Sequence, residues 1–171
     1  MKKFVSLLLA MLMVLSLVAC GGDGGQSNTN SGDKVIKIGV FEPLSGDSAS
    51  GGKKEVLGMQ YANSETPTVE LNGETYKVEL VLSDNGSSTD KAPSAASDLV
   101  SKGVSLVLGT YGSGAAMAGG PKFGEAGIAA IGVTCTNPNV TAGNDYYFRI
   151  CFLDNFQAEV LASFAMDKFS A

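Results

Sequence analysis

Apolar runs of high β-propensity alternate with stretches of helical spacing, and this alternation limits the possible folds more than any other feature. The predicted strands cover residues 35–41, 76–82, 104–108, 128–133 and 146–151. One helix is predicted from the small apolar stripe Ala92, Ala95, Ala96, Leu99 and Val100, which follows the capping residues Ser88, Thr89 and Asp90. A further helix is predicted to start at residue 157 and run to 171. The pattern predicts an α/β fold with a doubly wound, mostly parallel sheet and helices on both faces.

Ligands of such sheets bind beyond the carboxyl ends of the strands, so the loops at those ends are the first place to look for a site. Here they cover residues 42–52, 83–89, 109–114 and 134–141, and three of them are rich in Ser, Thr and Gly. Hydroxyl groups and glycine amides are suited to a small polar ligand.

The glycine-rich stretch GTYGSGAAMAGG, residues 109–120, follows a predicted strand and leads into a helix. A dinucleotide fingerprint is not present, because Met117 stands where the third glycine of G-x-G-x-x-G belongs and the turn follows the third predicted strand. A carboxylate is the better anion, held by the amides of Gly114 and Ala115 and the hydroxyl of Ser113 at the positive end of the helix. The alternative is that Ser113 simply caps that helix.

Composition removes several function classes. The 171 residues carry a net charge of -5 and include no histidine, so there is no basic footprint for nucleic acid and no histidine-dependent catalysis. The spacing of Cys135 and Cys151 matches no metal motif; the two cysteines form a disulfide or remain buried free thiols. We expect no metal and no cofactor. Asp84 and Asp154 are interpreted as solvated turn residues.

The N-terminal segment is typical of an export signal. Lys2 and Lys3 precede an uncharged apolar run that ends in the sequence LVAC at Cys20. This ending resembles the lipobox of bacterial lipoproteins, which predicts a signal peptide at residues 1–19 and a lipidated Cys20; the alternatives are a plain membrane anchor or a secreted protein. Residues 20–33 read as a flexible Gly/Ser/Asn tether, and residues 34–171 as one folded domain outside the cytoplasm.

Five stretches together carry a family resemblance: IKIGVFEPLSGDSASGG, YKVELVLSDNGSS, LVLGTYGSGA, GIAAIGVTCTNPNVT and YYFRICFLDN. In this order they resemble the extracellular solute-binding proteins of branched-chain and hydrophobic amino acid ABC importers. The resemblance runs from residue 34 to residue 171. It implies the first lobe of a two-lobed type I periplasmic binding protein. The second lobe is missing from this sequence. We favour the explanation that the sequence is a fragment over the alternative that the gene is truncated.

The resemblance also implies a ligand site. By position, Ser113 and Gly114 correspond to residues that hold the ligand carboxylate, with Tyr111 and Gly112 beside them. Residues of the segment Thr134, Cys135 and Thr136 correspond to those that contact the ligand's ammonium and carboxylate groups. Ser45 and the glycines up to Gly52 correspond to the first loop lining the cleft. The acidic partner of the ammonium group and an aromatic wall are implied to come largely from the second lobe.

Three stretches depart from the family's pattern. Cys135 stands where small residues are common. The sequence Gly119-Gly120-Pro121 is expected to interrupt a helix, at a cost of about 1 kcal/mol for each glycine. Residues 66–73 replace a glycine-rich turn and are interpreted as a surface variation without effect on the ligand.

Three hypotheses of function follow. The first is a non-enzymatic binding lipoprotein, anchored at the outer face of the bacterial membrane, that captures an amino acid and delivers it to membrane permease subunits. The second is a ligand-sensing receptor lobe of the same architecture. The third is an exported hydrolase with Ser113 as nucleophile, which is disfavoured because Tyr111 replaces a glycine of G-x-S-x-G and no histidine is present.

Overall fold

The computed structural model describes residues 34–170, and the predicted signal peptide, Cys20 and tether lie outside them. The strands are β1 (Val35–Glu42), β2 (Thr68–Leu71), β3 (Glu74–Asp84), β4 (Leu106–Leu108), β5 (Ala130–Gly132) and β6 (Tyr147–Arg149). The helices are α1 (Ala49–Glu65), α2 (Ala92–Ser101), α3 (Ser113–Glu125) and α4 (Asp154–Phe169), and a 3-10 turn covers Pro138–Val140. None of these helices is both long and apolar enough to cross a membrane.

The six strands form one sheet in the order β2-β3-β1-β4-β5-β6, and every neighbouring pair is parallel except β2 with β3. This confirms the predicted doubly wound, mostly parallel architecture. Each of the five predicted strands is present. The strand β2 was not predicted. Residues 66–73 lie at the surface, as the interpretation of a surface variation requires, but they form a paired strand and a turn. Asn72 and Gly73, both with positive φ, close a hairpin that pairs β2 with β3.

One face of the sheet carries the core. Four of the five residues of the predicted stripe on α2 are buried there, and the fifth, Val100, is half-buried. Phe123 of α3 meets Phe41 of β1 edge to face with ring centroids 5.4 Å apart. The glycine pair of α3 lies on this contact surface: a Cβ at Gly119 would come within 2.6 Å of the Phe41 ring, and one at Gly120 within 2.8 Å of the Tyr147 ring. The expectation that Gly119-Gly120-Pro121 interrupts the helix is therefore wrong. The helix continues, and its glycines let two aromatic rings approach its backbone.

The opposite face is covered only partly, by α1. A groove of about 570 Å³ lies between this helix and apolar side chains of four parallel strands, among them Ile38, Leu80, Leu108 and Ile131. The last helix, α4, buries none of its residues and exposes the side chains of Phe156, Val160, Leu161, Phe164, Met166 and Phe169.

Candidate functional site

Four loops leave the carboxyl ends of β1, β3, β4 and β5, and they lie at the same edge of the sheet because these strands are parallel. The predicted ligand residues are distributed over three of them. Ser45 follows β1. Tyr111, Gly112, Ser113 and Gly114 follow β4, and the segment from Thr134 to Thr136 follows β5.

The backbone conformation of Gly112 determines how the glycine turn after β4 enters α3. Gly112 has φ of 107°, which favours glycine, and occupies the N-cap of α3 without any side-chain cap. Ser113 is the first helical residue, so the alternative that Ser113 caps the helix is wrong. Within residues 34–170, nothing accepts a hydrogen bond from the amides of Ser113, Gly114 and Ala115. Three free donors therefore lie at the positive end of α3.

The Ser113 hydroxyl joins this turn to the loop after β5. Its Oγ accepts a hydrogen bond from the backbone N–H of Asn137 at 3.2 Å. A hydroxyl oxygen that accepts one hydrogen bond still has its own proton to donate. The two segments that the resemblance assigns to the ligand are therefore in direct contact, with a free hydroxyl donor between them.

The three predicted residues of the loop after β5 point in different directions. The Thr134 hydroxyl donates to Glu55 Oε1 of α1 at 2.6 Å. The Cys135 side chain is fully buried, and its thiol contacts the Thr110 carbonyl at 2.8 Å. Burial raises the pKa of the Cys135 thiol to about 11. This thiol cannot line a cleft, so only the backbone of Cys135 is available to a ligand. Thr136 is half-buried and accepts the N–H of Asp154 on its carbonyl at 3.0 Å.

Arg149, at the end of β6, fixes the course of this loop. Its Nη1 donates to the carbonyls of Cys135 and Asn137, both at 2.9 Å. Its Nη2 donates to the carbonyl of Pro138 at 3.1 Å and to the hydroxyl of Thr141 at 2.7 Å. Five donors in a rigid fork make arginine suited to such a set of oxygens. The sequence analysis did not single out this residue, because three of its four partners are backbone carbonyls and leave no pattern in the sequence.

Ser45 and Asp84 order the first loop together. The Ser45 hydroxyl donates to Asp84 Oδ2 at 2.6 Å, and Asp84 Oδ1 accepts the amides of Leu44 at 2.7 Å and Gly86 at 2.8 Å. Burial raises the pKa of Asp84, but the Ser45 hydroxyl and the loop amides outweigh this and lower it below its usual value. The carboxylate is exposed and bonds to turn amides, as expected of a solvated turn residue, and in addition it orders a loop of the candidate site.

Tyr111 lies between the glycine turn and the first turn of α1. Its backbone N–H donates to Glu42 Oε2 at 2.8 Å, and its ring is 2.6 Å from the position that a Cβ on Gly51 would take. Gly51 and Gly52 belong to α1 and not to the preceding loop, which corrects their expected place. The ring stays partly exposed at the edge of the sheet, where it can contact a ligand.

The groove under α1 is a different place. It is lined almost wholly by aliphatic side chains and by none of the eight predicted ligand residues. Its polar side chains are Glu55, Asn63 and Thr66, and no lysine or arginine lines it, so an amino acid carboxylate would find no cation there. The loop edge, with its free helix amides, remains the candidate site. Within residues 34–170 no three Cys, Asp or Glu side chains are grouped as a metal would require, and Cys135 and Cys151 are free thiols.

Comparison with known proteins decides the family. The family model described as periplasmic binding protein matches residues 35–171. The chain belongs to the periplasmic binding protein family. This periplasmic binding protein chain is 32% identical over 157 residues to the Leu/Ile/Val-binding protein homolog 3 of Brucella melitensis, covering 91% of this chain and 42% of that protein. It is 33% identical over 136 residues to the Leu/Ile/Val-binding protein BraC3 of Rhizobium johnstonii, covering 78% of this chain and 36% of that protein.

Solved structures of the same kind share its fold. The leucine binding protein LivK of Thermotoga maritima superposes with a TM-score of 0.73 at 34% identity, over 80% of this chain and 38% of that one. The branched-chain amino acid transporter substrate binding protein LivJ of Streptococcus pneumoniae, in complex with isoleucine, superposes with a TM-score of 0.72 at 32% identity, over 81% and 40%. The periplasmic binding protein chain thus spans about two fifths of the length of these relatives.

Proposed function

We propose that this chain is the first ligand-binding lobe of an ABC importer's substrate-binding protein, which captures an amino acid outside the cell and delivers it to permease subunits. The ligand we propose is a branched-chain or other hydrophobic amino acid. The observation that carries the proposal is the hydrogen bond from Asn137 N–H to Ser113 Oγ. It joins the two segments that correspond to ligand-binding segments in the family, beside free amides of α3. The names of the relatives support the ligand class.

The two ends of an amino acid would use different parts of this edge. The carboxylate would accept the amides of Gly114 and Ala115 and the hydroxyl of Ser113, with the positive end of α3 behind them. The ammonium group would donate to the Thr134 carbonyl and the Thr136 hydroxyl. Tyr111 would contact the side chain, and Ser45 and its loop would border the cleft. The rest of the enclosure would come from a second lobe.

Binding without catalysis is the better account of this site. Ser113 Oγ faces a backbone amide and not a base. The nearby carboxyl groups of Glu42 and Glu55 are engaged by the Tyr111 amide and the Thr134 hydroxyl. An activated serine nucleophile needs an adjacent base that can take its proton, and neither carboxyl is bonded to Ser113. We propose that the protein uses no cofactor.

Binding is tested on the full-length gene product by calorimetry, first with pooled amino acids and then with leucine, isoleucine and valine separately. The double variant Ser113→Ala with Thr136→Ala should bind the amino acid at least about tenfold to a hundredfold more weakly. A single hydrogen bond to a charged group contributes about 1.5–3 kcal/mol. The matched control is Ser101→Ala with Thr75→Ala, which removes the same atoms at exposed positions on other elements. Unchanged affinity in the first variant, or no binding of any amino acid, would refute the proposal.

The membrane anchor is a separate proposal, resting on the sequence around Cys20. Expressed in a bacterial host, the protein should partition into the detergent phase of Triton X-114 and carry the added mass of a lipid on Cys20. Cys20→Ser should move it to the aqueous phase. A protein that remains in the aqueous phase with Cys20 intact would contradict the lipid anchor and leave the ligand proposal standing.

A further inference from the structure

Two glutamates meet below the candidate site, and within residues 34–170 neither forms a salt bridge. Glu42, the last residue of β1, is fully buried. Its Oε2 accepts the N–H of Tyr111, and among the described residues nothing donates a hydrogen bond to its Oε1. Glu55 of α1 accepts the Thr134 hydroxyl on Oε1, and its buried Oε2 is likewise without a partner. The residues that they hold are neighbours in space, because the thiol of Cys135, next to Thr134, contacts the carbonyl of Thr110, next to Tyr111. Once one of the two carboxyl groups is protonated, the Glu55 side chain is a hydrogen-bond partner of Glu42.

This contact requires a proton. Two ionised carboxylates are acceptors only and cannot bond to each other, whereas one protonated carboxyl donates to its neighbour. A single proton between the two groups therefore satisfies the two orphaned oxygens and removes one buried negative charge. Burial, followed by the contact with Glu55, raises the pKa of Glu42 to about 9, against the lowering effect of the Tyr111 amide. The proton is thus present at neutral pH.

Of the other titratable groups near the pair, Cys135 and Tyr147 remain neutral between about pH 7 and pH 9, and Asp84 is ionised. Cys135, in the loop after β5, has its pKa raised to about 11 by burial, and the buried Tyr147 of β6 has its pKa raised above the usual value for a phenol. Asp84, the register partner of Glu42 on β3, directs its carboxylate to loop amides. Among residues 34–170, Glu55 is the one ionisable side chain that shifts the pKa of Glu42.

We propose that Glu42 and Glu55 share one proton and that this carboxyl pair positions both candidate ligand loops. Glu42 holds the glycine turn through Tyr111, and Glu55 holds the loop after β5 through Thr134. Both anchors lie on rigid elements, β1 and α1, so the pair fixes the separation of the two loops. Loss of the shared proton puts two negative charges side by side in a buried place, which drives the carboxyl groups apart and loosens both loops. The consequence for ligand affinity rests on the proposed function.

The first two measurements need no ligand. Infrared spectroscopy should show the carbonyl stretch of a protonated carboxylic acid at pH 7 in the wild type, and this band should disappear around pH 9. Hydrogen exchange, corrected for its intrinsic pH dependence, should increase at pH 10 in peptides that cover residues 109–112 and 134–137. Glu42→Gln should lack the band and show no such increase, because an amide donates to Glu55 and accepts from Tyr111 at every pH.

Two further variants keep the test decisive. Glu55→Gln should behave as Glu42→Gln does, which covers the case that one variant fails to fold. Glu79→Gln, an exposed position on β3, should behave as the wild type. Absence of the protonated-acid band at pH 7 would overturn the shared proton. A band whose loss leaves exchange in both loops unchanged would overturn the positioning role.

The third measurement is the dissociation constant for leucine at pH 8 and pH 10. If only the protonated pair is competent to bind, a pKa of about 9 makes the wild-type affinity fall about tenfold over this interval relative to Glu42→Gln. The ratio of the two proteins is the readout, because the ammonium group of leucine titrates in both. A constant ratio would refute the link to binding. If no protein binds leucine while the band and exchange behave as expected, leucine is refuted as the ligand, and the carboxyl pair stands.

Discussion

Replacing Arg149 by Met tests how much one guanidinium contributes to the candidate site. Methionine keeps the aliphatic stem and removes all four hydrogen bonds to the loop that follows β5. Each hydrogen bond from a charged group contributes about 1.5–3 kcal/mol, but the four are not additive because they restrain one short segment. We therefore expect a loss of about 3 kcal/mol in the free energy of unfolding. Arg149→Lys should lose more than half of the same free energy, because the compact ammonium group cannot reach all of the oxygens that the planar guanidinium group contacts.

Urea denaturation followed by circular dichroism measures this loss. With a slope of about 1.5–2 kcal/mol/M, the midpoint of Arg149→Met should fall by roughly 1.5–2 M. The matched control is Lys37→Met, which also removes a cation but only one exposed hydrogen bond, to the Lys102 carbonyl at 3.1 Å. It should change the free energy of unfolding by less than about 1 kcal/mol. The reasoning fails if Arg149→Met is no worse than Lys37→Met, or if lysine restores full stability at position 149.

Three other variants or labels test the packing and electrostatics. Gly119→Ala should destabilise the protein by about 1–3 kcal/mol in urea denaturation, because the new Cβ meets the ring of Phe41 in the core. Gly58→Ala has nothing within 4 Å of its Cβ and should stabilise by about 0.5–1 kcal/mol through the better helix propensity of alanine. Equal effects of the two variants would refute the packing argument. Asp84→Asn should lower the melting temperature at pH 7. The difference from wild type should shrink as pH falls through the depressed folded-state pKa of Asp84, where the wild type loses the same carboxylate; a constant difference down to pH 2 would contradict this. Iodoacetamide at pH 8 should label Cys151 in the native protein and Cys135 only after unfolding, as read by peptide mass spectrometry; native labelling of Cys135 would contradict its burial.

The parts of the fold that follow from local periodicity could be predicted from the sequence. Four of the five residues of the stripe on α2 are buried as expected, because its small side chains recur at the helical period and face the sheet. The hairpin that contains β2 was missed although it has a local signal, since Asn72-Gly73 between two β-rich stretches is a strong predictor of a tight turn. The strand β2 is largely exposed in the structure. Its sequence therefore has no apolar run of the kind that identified the other strands.

The candidate site could be predicted only as a set of loops. Parallel strands bring their carboxyl ends to one edge, and this places Ser45, Tyr111, Ser113 and Thr134 near one another without further information. The direction of each side chain could not be predicted in this way. Cys135 is turned into the core by its contact with the Thr110 carbonyl.

The partners that position the loops come from distant parts of the chain, and this is why spacing does not reveal them. Glu42 and Glu55 are on different elements, and nothing in their local sequence indicates that they meet. The same holds for Arg149, whose partners are carbonyls of a preceding loop. Such contacts depend on the packing of α1 against the sheet and on the pairing of β6 with β5, and they require the tertiary structure.

The glycines of α3 show how core packing reaches the candidate site. Gly120 lies where a Cβ would come within 2.8 Å of the Tyr147 ring, so the helix lies closer to β6 than an alanine would allow. In that position the Tyr147 hydroxyl donates to the carbonyl of Gly109 at 2.8 Å, inside the core. Gly109 begins the glycine turn that presents Ser113. The loss of helix propensity at Gly120 is therefore offset by a contact through which the core fixes the start of that turn.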